Sequence, residues 1–464
     1  MRLNETENGS DRLPGALIWL LLASLIVSIH AGAPGIPTAG AQAEVVLDVT
    51  KSSFFKVPVV VEEFTWQNLD PVVFQGRQWG EEVLIDDLLF SDSFVVLRCQ
   101  AGSPLPAGLL VDVQGNPVDK RVQARIRIEV RRSGSKLKLK TKLLDESTGQ
   151  EIFGKTYDAH WDAHQLAADR WGIHRLADEI SYYLTGTRGC AATRIVYVNA
   201  QGSDRDLHLI DWDGLNSTSL TNLGAIILSP TWKPDGRTVA FTSFHEGQPK
   251  LYAYDLKKQK LTKIVSSTTP SAPKYSPNGK NIAYSTTKDG NAEIYIAKAD
   301  GSKPKRLTFH NAIDTAPSWS PSGKQIVFTS DRWGNPQLFI INADGTDLTQ
   351  LTFAGRWNDS PDWSPVKDRI VHVCRIESSF ELAVIETNGD GWRLITNFQK
   401  EGGCENPRWA PDGRHVVFAR LIDNQRSIWI LDVDTCCLRR LTRSAGDSYN
   451  PAWSFTAKDR LNTQ

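Results

Sequence analysis

The stretch PSWSPSGKQIVFTS at 317–330 decides the fold of this chain, because the sequence repeats it with small changes. A shortened copy, PAWS, begins at residue 451, and successive copies start 43 to 46 residues apart. A fixed period of that length is typical of propeller blades with four strands each. The other full copies are PTWKPDGRTVAFTS at 230–243, PKYSPNGKNIAYST at 273–286, PDWSPVKDRIVHVC at 361–374 and PRWAPDGRHVVFAR at 407–420.

One repeat can be interpreted as four short strands. In the copy that starts at 317, strands are predicted near 318–320, 325–329, 337–342 and 347–352. Tight turns separate the first two and the last two strands, since Pro sets a turn φ and Gly supplies the positive φ at the end of the turn. The second segment, QIVFT, is rich in β-branched and aromatic residues, which favour strands. Each repeat therefore predicts one blade.

The two ends of the array predict how the ring closes. Residues 194–221 contain three predicted strands with no P-x-W-S motif before them, whereas 449–454 supply a first strand with no blade after it. Joining the fragments gives five complete blades and one shared blade. We therefore predict an all-β six-bladed propeller, closed by pairing of the C-terminal strand with the first blade. Closure removes the open sheet edges.

The chain is predicted to have three parts. Residues 1–43 combine basic residues, a long apolar run and a final AQA, which is the order of a secretory signal peptide cut before Glu44. A permanent membrane anchor is the alternative. Residues 44–190 form an α/β domain with a helix at 164–185, and residues 191–464 form the propeller of WD40-like repeats.

Composition and motifs narrow the function. Lys plus Arg and Asp plus Glu each total 53, so the zero formal charge predicts no nucleic-acid partner. The six Cys show no C-x-x-C spacing. We find no nucleophile elbow, P-loop, dinucleotide fingerprint or zinc-protease motif. We therefore predict no catalytic residue, no cofactor and no metal site. We also predict a monomeric protein that has no membrane span after signal cleavage.

Recognition is predicted where the copies differ. The segments that lead into each first strand open on one face around the central channel, and the Asp-Gly turns lie on the other face. A rigid scaffold with variable loops around one mouth is a binding device by default. The lead-in segments are ILS before Pro230, PSA before Pro273, DTA before Pro317, NDS before Pro361, CEN before Pro407 and SYN before Pro451.

The order of these parts resembles one known family. The signal peptide, the start EVVLDV at 44–49, the α/β domain that ends in ADEISYYLTG, the junction TRIVYV and six propeller repeats together resemble the TolB family of the Tol-Pal system. The resemblance implies a non-enzymatic scaffold in the periplasm of a Gram-negative bacterium. It also implies a role in outer-membrane integrity and in envelope constriction during cell division.

The resemblance further implies two partners and their contact residues. The propeller mouth would bind Pal, an OmpA-like lipoprotein, and the mature N-terminal segment would bind TolA. Other envelope proteins are further possible partners. Candidate Pal-binding residues are Ala272, Asp314 and Thr315, with their counterparts in other repeats, Asn358, Asp359, Glu405 and Tyr449. Candidate TolA-binding residues are Glu44, Val45, Val46, Leu47, Asp48 and Val49.

A propeller enzyme is the alternative function. It would be a lyase or hydrolase that acts on a periplasmic polymer with histidines or carboxylates around the channel. Of the histidines in the repeats after residue 230, only His310 falls before a first strand. Loss of turnover on replacing His310 would favour this alternative.

Overall fold

The structure is a computed structural model that describes residues 56–455, with gaps at 68–76, 106–109, 119–120, 135, 161–165, 202–203, 267, 354, 356, 400–401 and 444–445. The predicted signal peptide and the candidate TolA-binding residues 44–49 lie outside the described residues. No helix in the described ranges is both long enough and apolar enough to cross a membrane.

The N-terminal part is an α/β unit around one sheet. Strand β1 runs between β3 and β6 and is parallel to both, while β6, β7 and β8 form an antiparallel meander. Its elements are β1 (Val57–Glu62), β2 (Thr65–Gln67), α1 (Arg77–Phe90), β3 (Phe94–Cys99), β4 (Leu110–Val111), β5 (Pro117–Val118), β6 (Ala124–Ser133), β7 (Lys136–Asp145), β8 (Glu151–His160) and α2 (Leu166–Thr185).

The meander follows the alternation of its sequence. In β7, the residues KLKLK place Lys side chains in solvent and Leu137 and Leu139 in the core, because successive side chains of a strand point to opposite faces. The two helices contribute Leu88 and Ile180 to the same buried cluster. The basic run at 136–142 is therefore one solvated face of a half-buried strand.

The propeller confirms the predicted six blades. Five consecutive four-stranded sheets follow three strands of blade 1, namely β9 (Arg194–Gln201), β10 (Asp204–Asp211) and β11 (Thr218–Ser219). Blade 2 has β12 (Ile227–Trp232), β13 (Thr238–Glu246), β14 (Gln248–Asp255) and β15 (Lys260–Val265). Blade 3 has β16 (Ser271–Tyr275), β17 (Asn281–Thr286), β18 (Glu293–Lys298) and β19 (Lys305–Arg306).

The remaining blades repeat the pattern and close the ring. Strand β32 (Asp447–Trp453) pairs antiparallel with β9 and completes blade 1, as the sequence predicts. Blade 4 has β20 (Asp314–Trp319), β21 (Gln325–Ser330), β22 (Gln337–Asn342) and β23 (Thr349–Gln350). Blade 5 has β24 (Asn358–Trp363), β25 (Arg369–Ile376), β26 (Ser379–Glu386) and β27 (Arg393–Leu394). Blade 6 has β28 (Cys404–Trp409), β29 (His415–Ile422), β30 (Gln425–Asp432) and β31 (Leu438–Arg440).

The first strand of each repeat begins earlier than predicted. Strand β20 spans 314–319 rather than 318–320, so the lead-in residues before Pro317 belong to the strand and not to a loop. A β-bulge separates Thr315 from Ser318 in the pairing register. A bulge accommodates a proline within a strand because it interrupts the hydrogen-bond ladder. The residue before the proline has a positive φ in all six copies: Ser229, Ala272, Ala316, Ser360, Asn406 and Asn450.

The N-terminal unit packs on the propeller through a continuous core. One buried hydrophobic cluster runs from the sheet and helices of the N-terminal unit into blades 1, 2 and 6. Trp212, between β10 and β11, donates its Nε1–H to Oδ1 of Asp87 in α1 over 3.0 Å. The other carboxylate oxygen of Asp87 lies 2.6 Å from Nδ1 of the buried His174 in α2. The two helices and blade 1 are thus tied at one point.

Candidate functional site at the propeller mouth

The mouth is the face where the inner strands begin and where the loops between second and third strands open. These loops differ between blades. They have six residues in blade 3 (287–292) and in blade 4 (331–336), but two in blade 5 (377–378) and in blade 6 (423–424). The mouth is therefore asymmetric, with its longest loops on the side of blades 3 and 4.

Three large aromatic side chains stand exposed on that side. Phe309 and Phe353 hold the same place, directly after a Leu-Thr pair, in the segments that leave blades 3 and 4. Trp333 lies in the long loop of blade 4. Their exposed fractions are 74%, 77% and 71%. We call these three residues the aromatic mouth patch, because large exposed apolar side chains on one side of a face are candidates for an interaction site.

A polar clasp holds the segment that carries Phe309. The Oγ1 of Thr308 donates to Oε2 of Glu293 over 2.6 Å and accepts the N–H of Ile294 over 2.9 Å. The other oxygen of Glu293 accepts the N–H of His310 over 2.8 Å. The guanidinium of Arg306, bonded to the same carboxylate, lies 4.7 Å from the centre of the Phe309 ring. Phe309 is therefore exposed but held in place.

The same clasp recurs in other blades. In blade 4, Thr352 donates to Oε1 of Gln337 over 2.7 Å and accepts the N–H of Leu338 over 2.9 Å. In blade 5, Thr396 bonds Glu381 and the N–H of Leu382 over 2.7 and 2.8 Å. A Leu-Thr or Ile-Thr pair thus fixes the start of the lead-in segment that leaves blades 3, 4 and 5, a role that the sequence pattern did not indicate.

Asp314 lies beneath the surface of the mouth and binds a residue of the loop between the second and third strands of blade 4. Its side chain has no exposed area, and both carboxylate oxygens accept from Nη2 of Arg332 at 3.1 and 2.9 Å. Burial raises the pKa of Asp314, and the bond to Arg332 partly offsets this shift. Arg332 in turn lies 4.6 Å from the centre of the Phe339 ring. The pair anchors the loop that carries Trp333.

The other candidate Pal-binding residues are also engaged within the ring. Thr315 accepts from Ser285 over 3.2 Å, and Asp359 accepts from Thr329 over 2.9 Å. Each bond links neighbouring blades. Burial raises the pKa of Asp359. Of the others, Asn358 donates to Gln337, Glu405 pairs with Arg426, Tyr449 is 8% exposed, and Ala272 is half-buried at its bulge.

His310, the residue on which the alternative enzymatic function depends, lies in the segment between β19 and β20. Its ring is exposed, and Nδ1 accepts the N–H of Ala312 over 3.0 Å. Within the described ranges, both groups of three potential metal ligands lie elsewhere, at the interface with the N-terminal unit.

The opposite end of the channel is lined by the repeated motif. A cavity of about 360 Å³ at this end is lined by Lys274, Asp362 and Arg408 and by one aromatic residue from each copy of the motif. These aromatic residues are Trp232, Tyr275, Trp319, Trp363, Trp409 and Trp453. Lys274 forms an ion pair with Asp362 across the channel, and Asp362 also accepts from Ser318 over 3.1 Å. These contacts tie blades 3, 4 and 5 together.

The chain is thus a six-bladed propeller with an attached α/β unit. Residues 182–457 match the family described as TolB beta propeller domain. The chain therefore belongs to the TolB propeller family.

Similar proteins support this assignment. A Tol-Pal system protein TolB from Bordetella avium is 34% identical over 281 residues, which cover 59% of this chain and 60% of that protein. The protein of the same name from Bordetella pertussis is 33% identical over 66% of each chain. For three of the curated TolB relatives, including the one from Bordetella avium, the matched region covers 50% to 60% of the relative's length. The crystal structure of TolB from Acinetobacter baumannii has the same fold, with a TM-score of 0.71 at 24% identity over 86% of this chain and 97% of that one.

Proposed function

We propose that this chain is a periplasmic scaffold of a Tol-Pal system and is not an enzyme. Its propeller mouth binds Pal, an OmpA-like peptidoglycan-associated lipoprotein, and its segment Glu44–Val49 binds TolA. In this role the protein supports outer-membrane integrity and envelope constriction during division. Membership of the TolB family and the names of the relatives support the proposal.

The aromatic mouth patch is the main structural observation that supports the proposed binding function. An exposed Trp or Phe that is held by its neighbours loses little side-chain entropy on binding, and aromatic residues dominate binding energy at interfaces. The buried residues beneath the patch, such as Asp314 and Asn358, position this surface. These predicted Pal-binding residues would then affect Pal binding indirectly, because they fix the strands and loops that present the aromatic mouth patch.

The test is binding of the OmpA-like lipoprotein that the same genome encodes, measured by calorimetry with the purified chain. We expect Trp333→Ala to weaken binding about 30-fold, the effect of losing an interface residue worth about 2 kcal/mol. Phe309→Ala and Phe353→Ala are expected to act in the same direction.

Trp392→Ala is the matched control. Trp392 is 41% exposed, but it lies between β26 and β27, on the face opposite the mouth. We expect no change in affinity for this variant. Equal losses for Trp333→Ala and Trp392→Ala, or no binding at all, would contradict the proposed site.

The TolA contact needs a separate experiment. Deletion of Glu44–Val49 is expected to leave the thermal unfolding midpoint and Pal binding unchanged while abolishing capture by TolA. Unchanged TolA binding after the deletion would exclude this segment as the contact.

A further inference from the structure

A second group of chemically active side chains lies far from the mouth, where the N-terminal unit meets blade 6. Cys190 lies in the segment that joins α2 to β9, and Asp412 and His415 flank the turn that leads into β29. Cys190 is 3% exposed, and the side chains of Asp412 and His415 are 6% and 3% exposed. The mouth proposal uses none of these residues.

Their ligand atoms converge on one point. Nδ1 of His415 lies 3.8 Å from Sγ of Cys190 and 2.6 Å from Oδ2 of Asp412, and all three ligand atoms lie within 4.8 Å of one another. In a tetrahedral zinc site, bond lengths near 2.3 Å to sulfur and 2.0 Å to nitrogen or oxygen place sulfur and nitrogen roughly 3.6 Å apart, and nitrogen and oxygen roughly 3.3 Å apart. The distance between sulfur and nitrogen is thus close to the ideal value, and the contact between nitrogen and oxygen has to widen.

A carboxylate also lies on the far side of the imidazole, where it is paired with Arg414 over 2.6 Å. Nε2 of His415 has no hydrogen-bond partner within the part of the chain that the structure describes, yet Oδ2 of Asp432 lies 4.0 Å away. Metal-bound histidines direct their second N–H at a carboxylate, which fixes the tautomer and orients the ring. Phe90 stacks on the same ring, with 5.6 Å between the ring centres.

A cavity gives an ion access to the three ligands. It has a volume of about 360 Å³, lies between the N-terminal unit and blade 6, and includes all three residues in its lining. The cavity is also lined by other acidic side chains (Asp87, Asp92, Asp178 and Asp434) and by basic ones (Lys56, Arg188, Lys367 and Arg414). Room remains for a water molecule as a fourth ligand.

We propose that Cys190, Asp412 and His415 form a binding site for one zinc ion. The combination of thiolate, imidazole and carboxylate suits Zn²⁺ and disfavours Ca²⁺ and Mg²⁺, which take oxygen ligands. Binding displaces the thiol proton of Cys190 to solvent, and it displaces the proton between Nδ1 of His415 and Oδ2 of Asp412, which leaves the imidazole protonated on Nε2 alone. The bound ion would join the segment before β9 to the turn of blade 6 and so fix the N-terminal unit on the propeller.

The repeats themselves supply a matched variant. In blade 2, Asp235 and Thr238 hold the places of Asp412 and His415, and Oγ1 of Thr238 donates to Oδ2 of Asp235 over 3.0 Å. Both acidic residues also cap their turns by accepting two backbone N–H groups. His415→Thr should therefore preserve the turn while it removes the imidazole ligand.

The experiment titrates Co²⁺ and then Zn²⁺ into the reduced full chain carrying Cys436→Ser and Cys437→Ser, which removes the exposed vicinal pair. We expect one ion per chain, a sulfur-to-cobalt charge-transfer band, tetrahedral visible bands, and displacement of Co²⁺ by Zn²⁺. Zinc should also raise the thermal unfolding midpoint.

Cys190→Ser should abolish the charge-transfer band, and both Cys190→Ser and His415→Thr should weaken Zn²⁺ binding at least about 10-fold. His310→Ala, at an exposed histidine near the mouth, should change nothing. Absence of the band in the parent chain, or full-strength Zn²⁺ binding by Cys190→Ser, would overturn the site. In that case the residues form only an ion pair. None of these readouts depends on Pal or TolA.

Discussion

The two faces of the propeller use aromatic residues in opposite ways. On the turn face, one aromatic residue per blade is 4% to 6% exposed, and the indole of Trp409 donates to the backbone oxygen of Asp362 in the neighbouring blade over 2.9 Å. On the mouth, the three residues of the aromatic mouth patch are more than 70% exposed. The constant residues therefore join the blades, and the variable ones are available to a partner. The turn-face ring comprises Trp232, Tyr275, Trp319, Trp363, Trp409 and Trp453.

The largest effect is expected from breaking the turn-face ring. Trp409→Ala should lower the free energy of unfolding by about 4 kcal/mol, because it leaves a large cavity between blades 5 and 6. It also removes the indole that lies 4.8 Å from the guanidinium of Arg369. Urea unfolding followed by circular dichroism measures the change.

Trp333→Ala is the matched substitution on the mouth. The same change of residue type should alter the free energy of unfolding by no more than about 0.5 kcal/mol, because Trp333 is 71% exposed. Equal destabilisation by Trp409→Ala and Trp333→Ala would contradict the conclusion that the turn-face tryptophan packs between blades whereas the mouth tryptophan does not.

We expect a somewhat smaller effect of pH on stability, and it should arise from His372 in the second strand of blade 5. Burial lowers the pKa of His372 to about 4, well below the value of about 6.5 in an unfolded chain. The unfolded chain therefore binds a proton between pH 6.5 and pH 4 that the folded chain does not. Stability should fall as the pH drops through this window, by roughly 3 kcal/mol in total, with no further loss below pH 4 from this group.

The neighbouring blades indicate how to remove this dependence. The place of His372 is held by Phe241 in blade 2, Tyr284 in blade 3, Phe328 in blade 4 and Phe418 in blade 6. His372→Phe should be more stable than the parent chain at pH 5 and should show a shallower fall between pH 7 and pH 4. Parallel pH profiles for the two chains would rule out His372 as the source.

The architecture could be predicted from the sequence because a blade is a local unit. The spacing of the copies and the two incomplete ends sufficed for six blades and for closure through β32. The starts of the inner strands could not be predicted in this way. Proline normally ends a strand, and nothing local shows that a bulge with a positive φ before Pro317 lets the strand continue.

The site was less accessible to sequence reasoning because exposure depends on the whole ring. The segment at 314–315 was predicted as a recognition loop, yet Asp314 is fully buried against Arg332, a residue from another strand connection. Phe309 follows a Leu-Thr pair in a pattern that resembles a buried strand. The contacts of Cys190 with blade 6 join residues 225 positions apart, which no repeat period indicates.

A smaller loss of stability than for Trp409→Ala or for protonation of His372 is expected at the clasp beneath the aromatic mouth patch. Thr308→Val keeps the shape of the side chain but removes the bonds to Glu293 and to the N–H of Ile294. Because this threonine is 3% exposed, the buried partners lose a hydrogen bond without gaining water, at a cost of about 1 to 2 kcal/mol. The adjacent Phe309 should also lose its fixed position, so affinity for the mouth partner should fall. Thr349→Val, at an exposed threonine whose hydroxyl donates to the backbone oxygen of Asp347 over 3.2 Å, is the control and should change neither quantity. A loss of stability with unchanged affinity would show that the clasp supports the blade alone, whereas a loss of both would show that it also presents the binding surface.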